Sequence, residues 1–207
     1  MRSFLIAELH PITLLGTRDL LNEKFPGCQI AIARTREELV REIRQHGCSF
    51  DVAILNVRMK DQTLISCIDT IKAQCPALGI AVLGREHERV YAKWFLRHGV
   101  NAYMSQLASE TEFLNMLDAV ISGRIYLGDR VLQAWKCQSD ERLCSGFGAL
   151  SVMELEVIHH LVNGDVQADV AIRLGKSAST VATYFARAAM KLGTRDMIAV
   201  SHWIGRA

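Results

Sequence analysis

Six polar side chains spaced over sixteen residues, Lys176, Ser179, Thr180, Thr183, Arg187 and Lys191, are the ones in this chain best arranged to recognise a ligand. Val181, Ala188 and Leu192 recur among them at helical spacing and must face inward. That leaves Ser179, Ala182, Thr183, Ala186 and Arg187 outward. The outward set contains no paired acid and base and no activated nucleophile. It offers hydrogen bonds and methyl groups. A guanidinium at 187 can hold a guanine edge through two bonds, the hydroxyls at 179 and 183 can bond to any base, and an alanine methyl at 182 or 186 can pack on thymine. Lys176, Thr180 and Lys191 are spaced for backbone phosphates. The chemistry implied is recognition of double-stranded DNA. The bland alternatives are that Thr180 only helps to cap the helix, Arg187 is a solvated residue, and Tyr184 fills a gap in the core.

Positioning that face takes a particular order of elements. Ser151-x-x-Glu154 is a capping box, followed by Leu155, Ile158, Leu161 and Val162 at helical spacing, which predicts a helix over 152–162 stopped by Asn163-Gly164. Val170, Ala171 and Leu174 define a second short helix, Gly175 a tight turn, and Ser177 the cap of a third. A helix, a turn and a helix presented in this way form a helix-turn-helix, whose second helix fits the DNA major groove.

Other chemistry finds little support. His159-His160 are adjacent and lack the four-residue spacing of a helical zinc site, and neither a glycine-rich phosphate loop nor a nucleophile elbow occurs. Glu86-His87-Glu88 reads as a solvated helix start. The six cysteines form no CxxC pair, so no zinc site, metal or cofactor is expected, and the thiols read as reduced and partly packed. Cys137 and Cys144 stand apart because they fall in a polar stretch, where a redox role is the alternative. A net charge of +2 is far below that of a protein that coats nucleic acid unspecifically. No run of eighteen apolar residues occurs, and the first residues do not read as a secretory signal, so a cytoplasmic protein without membrane association is expected.

The first 120 residues alternate strand and helix. The predicted strands are 4–7, 29–33, 52–55, 80–83 and 102–104. The predicted helices run from Pro11 or Ile12 to 21, then over 35–44 behind Thr35-x-x-Glu38, 64–73, 88–97, and from Ser109-x-x-Glu112 to 121. Val52-Ala53-Ile54-Leu55 is apolar throughout, as in a strand buried on both faces of a parallel sheet. The fold class expected is therefore α/β plus all-α. An N-terminal doubly wound (βα)5 domain over 1–122 has its crevice at the carboxyl ends of the strands, a linker covers 123–147, and a helical domain covers 148–207. Within the linker, 125–135 is apolar enough to pack on a domain, whereas 136–148 reads as a tether.

The chain resembles a response regulator of the NarL/FixJ type, a receiver domain followed by a LuxR-type helix-turn-helix. Leu150-Ser151-x-x-Glu154-x-Glu156-Val157-Ile158, Gly164, Val170-Ala171-x-x-Leu174, Ser177-x-x-Thr180-Val181 and Lys191-Leu192 carry the resemblance in the C-terminal half. Ile6-Ala7-x-x-His10-Pro11, Asp51-Val52-x-x-Leu55-x-x-Arg58-Met59 and Gly99-x-x-x-Tyr103 carry it in the N-terminal half. The resemblance implies two acids after the first strand, an aspartate ending the third, Thr or Ser after the fourth and Lys after the fifth. This chain has Glu8 and Leu9, then Asn56, Gly84 and Gln106. An amide at 56 cannot form an acyl phosphate. Glu8 is too little charge for Mg²⁺, and no ammonium at 106 meets a phosphoryl group. The resemblance thus implies a degenerate pseudo-receiver. Three readings stay open: a structural and dimerising domain, a site for a small ligand or partner protein, or residual phosphorylation at Ser105 or Asp61.

The recognition helix is poorer in lysine than the resemblance implies, since Ser179 and Ala182 stand where lysines are common. Modest affinity per protomer and a C2 homodimer on paired half-sites are expected. The last helix, about 196–204, offers Met197, Val200 and Ile204 as dimerisation candidates, and Val90, Tyr91, Trp94 and Phe95 make the fourth helix a second candidate contact surface. Two functions follow. One is a sequence-specific transcriptional regulator acting independently of aspartyl phosphorylation, and the other an auxiliary or antagonist protein that pairs with another regulator and binds DNA weakly or not at all alone.

Overall fold

The structure is a computed structural model and describes residues 1–59, 62, 63, 65–84, 88–129, 132, 146–196, 198 and 200. The chain divides into two compact units. One comprises Met1–Arg85 and His98–Asp129, the other Glu86–Arg97 and Arg130–Ala207.

The first unit is built on a parallel sheet. Its elements run β1 (Ser3–Ala7), α1 (Pro11–Lys24), β2 (Gln29–Ala33), α2 (Arg36–His46), β3 (Val52–Asn56), β4 (Arg58–Met59), β5 (Gln62–Thr63), α3 (Ile65–Gln74), β6 (Gly79–Gly84), β7 (Ala102–Ser105), α5 (Glu110–Ile121) and β8 (Tyr126–Leu127), with α4 (Glu88–Arg97) leaving the unit between β6 and β7. The sheet order is β2-β1-β3-β6-β7-β8 and every pairing in it is parallel. β1 lies between β2 and β3, so the winding direction reverses there and the strand ends open a crevice. The expected α/β class is observed. Two features add to it: an antiparallel β4–β5 hairpin, and a sixth strand drawn from the apolar start of the segment read as linker.

Sequence chemistry explains these elements. Pro11 occupies the first turn of α1, where a missing N–H costs nothing. The Thr35 hydroxyl accepts from the Glu38 amide and the Glu38 carboxylate accepts from Arg34 N, and the Ser109 hydroxyl accepts from the Glu112 amide at the start of α5. Alternation along the strands sends Phe4, Ile6, Val52, Ile54, Ala81, Leu83, Ala102 and Met104 to one face, where Leu14, Leu21, Phe113, Met116, Leu117 and Val120 of α1 and α5 close a single core.

The second unit contains α4, α6 (Val152–Val162), α7 (Gln167–Leu174) and α8 (Ala178–Leu192). Gly175 takes φ +60° to end α7, as the turn demands. Val157, Val170, Ala171 and Val181 form the buried centre of the three-helix group, with Leu161, Leu174, Tyr184 and Phe185 packed around it. Among the described residues no helix is long and apolar enough to cross a membrane.

Candidate nucleic-acid interface and the strand-end pocket

α8 has the two-sided character its sequence predicts. Val181, Ala188 and Leu192 are buried, while Ser179, Ala182, Thr183, Ala186 and Arg187 are exposed. Lys176 is exposed in the turn before the helix, and neither it nor Arg187 pairs with an acidic side chain among the described residues. At the helix start the Ser177 hydroxyl caps Thr180 N at 3.1 Å and lies 2.9 and 2.8 Å from the Ser179 and Thr180 hydroxyls. Thr183 Oγ1 donates to Ser179 O at 2.9 Å. The Ser179 and Thr183 hydroxyls are each held by a local bond and keep acceptor capacity toward a ligand. Thr180 is half-buried, so it serves the cap first. Tyr184 packs on the apolar centre.

Lys191 is more constrained than its position in the sequence suggests. Its ammonium lies 2.6 Å from Glu154 Oε2. Glu154 is 4% exposed, and the same carboxylate oxygen accepts from Ser151 N at 2.7 Å in the capping box of α6. Lys191 therefore ties the end of α8 to the start of α6. Arg173 is drawn to Asp165 at 3.8 Å, and Asp165 also holds His160 Nδ1 at 2.8 Å.

Burial pushes the Glu154 carboxyl up, but the hydrogen bonds from Lys191 and from the Ser151 backbone outweigh it, so the carboxyl lies below its ordinary value. A group with a depressed folded pKa contributes stability that is present above the unfolded value of 4.5 and is lost as pH falls through the folded one. Urea titrations of the helical unit between about pH 5 and pH 3 are expected to show a loss that Lys191→Met reduces. Equal pH dependence in the wild type and this variant would contradict the pairing.

The same unit has a second polar seam that the sequence does not reveal. Tyr91, Trp94 and Phe95 of α4 are all buried. Trp94 Nε1 donates to Leu150 O at 2.9 Å, Arg97 donates to Gly148 O at 2.8 Å, and the Tyr91 hydroxyl lies 3.3 Å from His159 Nδ1. The Tyr91 ring also meets Phe147 with centroids 6.2 Å apart. Tyr91, Trp94 and Phe95, expected on a contact surface, are covered within their own chain, and the Val90 side chain lies outside the described residues. Of the dimerisation candidates, Met197 and Ile204 lie outside the described residues. Val200 is 1% exposed in the single chain, whereas Ile198 beside it is 72% exposed.

The strand-end pocket of the first unit gathers Glu8, Asn56, Gly84 and Gln106 at the ends of β1, β3, β6 and β7, with Leu9 half-buried beside them. Asn56 Nδ2 donates to Glu8 Oε2 at 2.8 Å, and His10 N donates to Glu8 Oε1 at 2.7 Å. Glu8 and Asn56 are 2% and 5% exposed, so the carboxylate is screened from water and bonded through both oxygens. Mg²⁺ does not fit this set, because among Glu8, Leu9, Asn56, Gly84 and Gln106 the one carboxylate gives it too little charge and is already hydrogen-bonded through both oxygens. Gly84 faces a further constraint: a Cβ there would lie 2.5 Å from the hydroxyl of the fully buried Tyr103, so this ring occupies the place of a side chain at 84.

A parallel βα unit whose chain runs on into a helix-turn-helix unit is a fold shared with solved response regulators, and the chain's homologues are response regulators of the LuxR/NarL kind. No family model matches the chain. It is 24% identical to the transcriptional regulatory protein MctR of Rhizobium johnstonii, covering 91% of this chain and 86% of that protein. It is 22% identical to the response regulator UvrY of Escherichia coli, covering 98% and 93%. Among solved structures it is similar to RcsB of Salmonella enterica serovar Typhimurium bound to the promoter P1flhDC with BeF3-, at a TM-score of 0.78 and 23% identity, covering 100% of this chain and 99% of that one. Another RcsB structure, at a TM-score of 0.62 and 24% identity, holds two dimers on two parallel DNAs.

Proposed function

We propose that this chain is a sequence-specific DNA-binding transcriptional regulator that works as a homodimer and without aspartyl phosphorylation. The observation that carries the reading is the outward face of α8, with Arg187, Thr183, Ser179 and two alanine methyls exposed on one side of a helix whose other side is fixed in the core. Arg187 reads a base edge, Ser179 and Thr183 add bonds to bases, and Lys176 and Thr180 hold phosphates. Lys191 is engaged by Glu154, which neutralises part of the charge it can offer a phosphate. RcsB binds promoter DNA and forms dimers on DNA, which supports DNA binding by this chain. Few free cations on the face make a second protomer necessary for useful affinity. Ile198 is the exposed apolar side chain of the final described segment available to that contact.

Phosphorylation independence rests on the pocket. Asn56 is an amide, and it is already bonded to the Glu8 carboxylate. The pocket acts as structural packing, and a small ligand or partner protein remains the other use of the crevice.

The test is binding to promoter DNA selected by the protein itself. Arg187→Ala is expected to weaken specific binding by about 1–3 kcal/mol and relax preference at one base position. Lys176→Ala is expected to weaken all sequences alike and make the slope of log K against log salt shallower by about 0.9. If both variants bind and respond to salt as the wild type does, the recognition face is misassigned. A second reading, an auxiliary protein that pairs with another regulator, is favoured by Ile172, Met190 and Ile198, exposed at 80%, 74% and 72% on the helical unit. It predicts no selected DNA sequence at all.

A further inference from the structure

A pair of thiols in the sheet unit takes no part in either site. Cys48 sits in the short 3-10 turn Gly47–Ser49 after α2, and Cys75 directly follows α3. Their Sγ atoms are 3.4 Å apart although 27 positions separate them in sequence. A disulfide bond measures about 2.05 Å, so about 1.4 Å of approach remains. Cys48 is exposed, and Cys75 is 3% exposed.

Two further observations point to the same place. Gly47 has φ −54° and ψ −38°, an ordinary helical conformation that any residue adopts, so its backbone does not call for glycine. The space does, since a Cβ at 47 would lie 2.5 Å from Cys75 Sγ. An open cleft of about 620 Å³, lined by both cysteines with Arg44, His46, Ser49 and Gln74, gives a small polar molecule access to the exposed thiol.

We propose that Cys48 and Cys75 form an oxidisable dithiol that takes a small hydroperoxide as oxidant and closes to an intramolecular disulfide. The Cys48 thiolate attacks one peroxide oxygen. An S–O bond forms, the O–O bond breaks, and the departing oxygen takes up a proton and leaves as an alcohol, or as water from hydrogen peroxide. Cys75 then gives its proton to solvent and attacks the Cys48 sulfur. The S–S bond forms, the S–O bond breaks, and the hydroxide released is protonated to water. Two thiols are oxidised by two electrons and one peroxide is reduced by two. The division of roles follows exposure. Burial, with the neighbouring Cys48 thiol, pushes Cys75 up to about 11, so it attacks second and its deprotonation limits closure.

The proposal does not depend on DNA binding and is tested on the full-length reduced protein. The protein is treated with equimolar hydrogen peroxide, free thiols are alkylated, and the digest is mapped by mass spectrometry without reduction. The expected result is one dominant linked peptide joining Cys48 to Cys75, reversed by dithiothreitol, with closure accelerating about tenfold per pH unit between about pH 7 and 9. Cys75→Ser is expected to leave a Cys48 sulfenic acid that dimedone traps, and Gly47→Ala to slow closure several-fold. Both cysteines remaining alkylatable while other thiols oxidise, or Cys48 linked to any other cysteine, overturns the proposal. A closure rate that does not change with pH overturns the role given to Cys75.

Discussion

Trp94→Ala is expected to destabilise the helical unit by about 3–5 kcal/mol, the range for removing a fully buried large aromatic side chain. Trp94 is 0% exposed, so the cavity left behind is internal. Its indole N–H also satisfies the Leu150 carbonyl, which lies at the entrance to α6 and is buried with its residue. Trp94→Phe separates the two effects. It keeps most of the apolar volume and loses the donor, with an expected cost of about 1–3 kcal/mol for the unsatisfied carbonyl. Denaturant unfolding followed by circular dichroism measures both, and a loss under about 1 kcal/mol for the alanine variant would mean that α4 is not part of the packed helical core. Arg97 and Tyr91 stay in place in both variants, so α4 keeps these two polar contacts to the unit.

Asn56→Asp is expected to weaken the sheet unit at neutral pH by about 3 kcal/mol and to leave it near wild-type stability in acid. The substitution puts a second carboxylate within 2.8 Å of Glu8 Oε2 at a site almost closed to water. Two carboxyl groups so close share one proton, and the pKa for its release rises above the ordinary carboxylate value. The sign follows from that rise. The variant's stability is intact below about pH 4, where the unfolded carboxyls are protonated too, and is lost as pH climbs through the raised value. Millimolar Mg²⁺ should restore part of the loss, because two carboxylates now offer the charge that one did not. Urea titrations at about pH 4.5 and pH 7.5, with and without Mg²⁺, provide the measurement. Equal stability at both values would show that the Asn56 side chain is not held against Glu8 as described. The wild type, carrying the amide, is expected to show no phospho-adduct when treated with a small-molecule phosphodonor and weighed intact.

Local chemistry in the sequence accounts for much of this architecture. Ser151-x-x-Glu154, Thr35-x-x-Glu38 and Ser109-x-x-Glu112 each mark a helix start that the structure contains, because a cap and its partner lie within one turn. The inward set Val181, Ala188 and Leu192 was equally readable, since helical periodicity alone assigns the faces. Long-range partners were not. Nothing near Lys191 announces that its ammonium is met by Glu154, 37 positions earlier, and so a side chain spaced for phosphate is also a structural tie. Tyr126 and Leu127 form a two-residue run too short to mark a strand in sequence, and they pair as β8 along β7. The aromatic richness of α4 was visible, but the carbonyls and the histidine it meets are about 50 to 70 residues away. Val200, a dimerisation candidate from its apolar spacing, is already buried in the single chain, which spacing alone does not reveal.

The membership of α4 has one more consequence. The chain passes from the sheet unit to the helical unit after Arg85, returns at His98 and leaves again after Asp129. No single backbone cut therefore yields two complete parts. A fragment starting at Gly146 would carry the whole helix-turn-helix and still lack the residues that cover Phe147 and His159. A fragment ending at Asp129 would carry a helix whose tryptophan and arginine had lost their acceptors. Dissection by gene truncation or limited proteolysis, the usual route to an isolated reader domain, would give two damaged pieces here, and weak DNA binding by such a piece would say little about the intact protein.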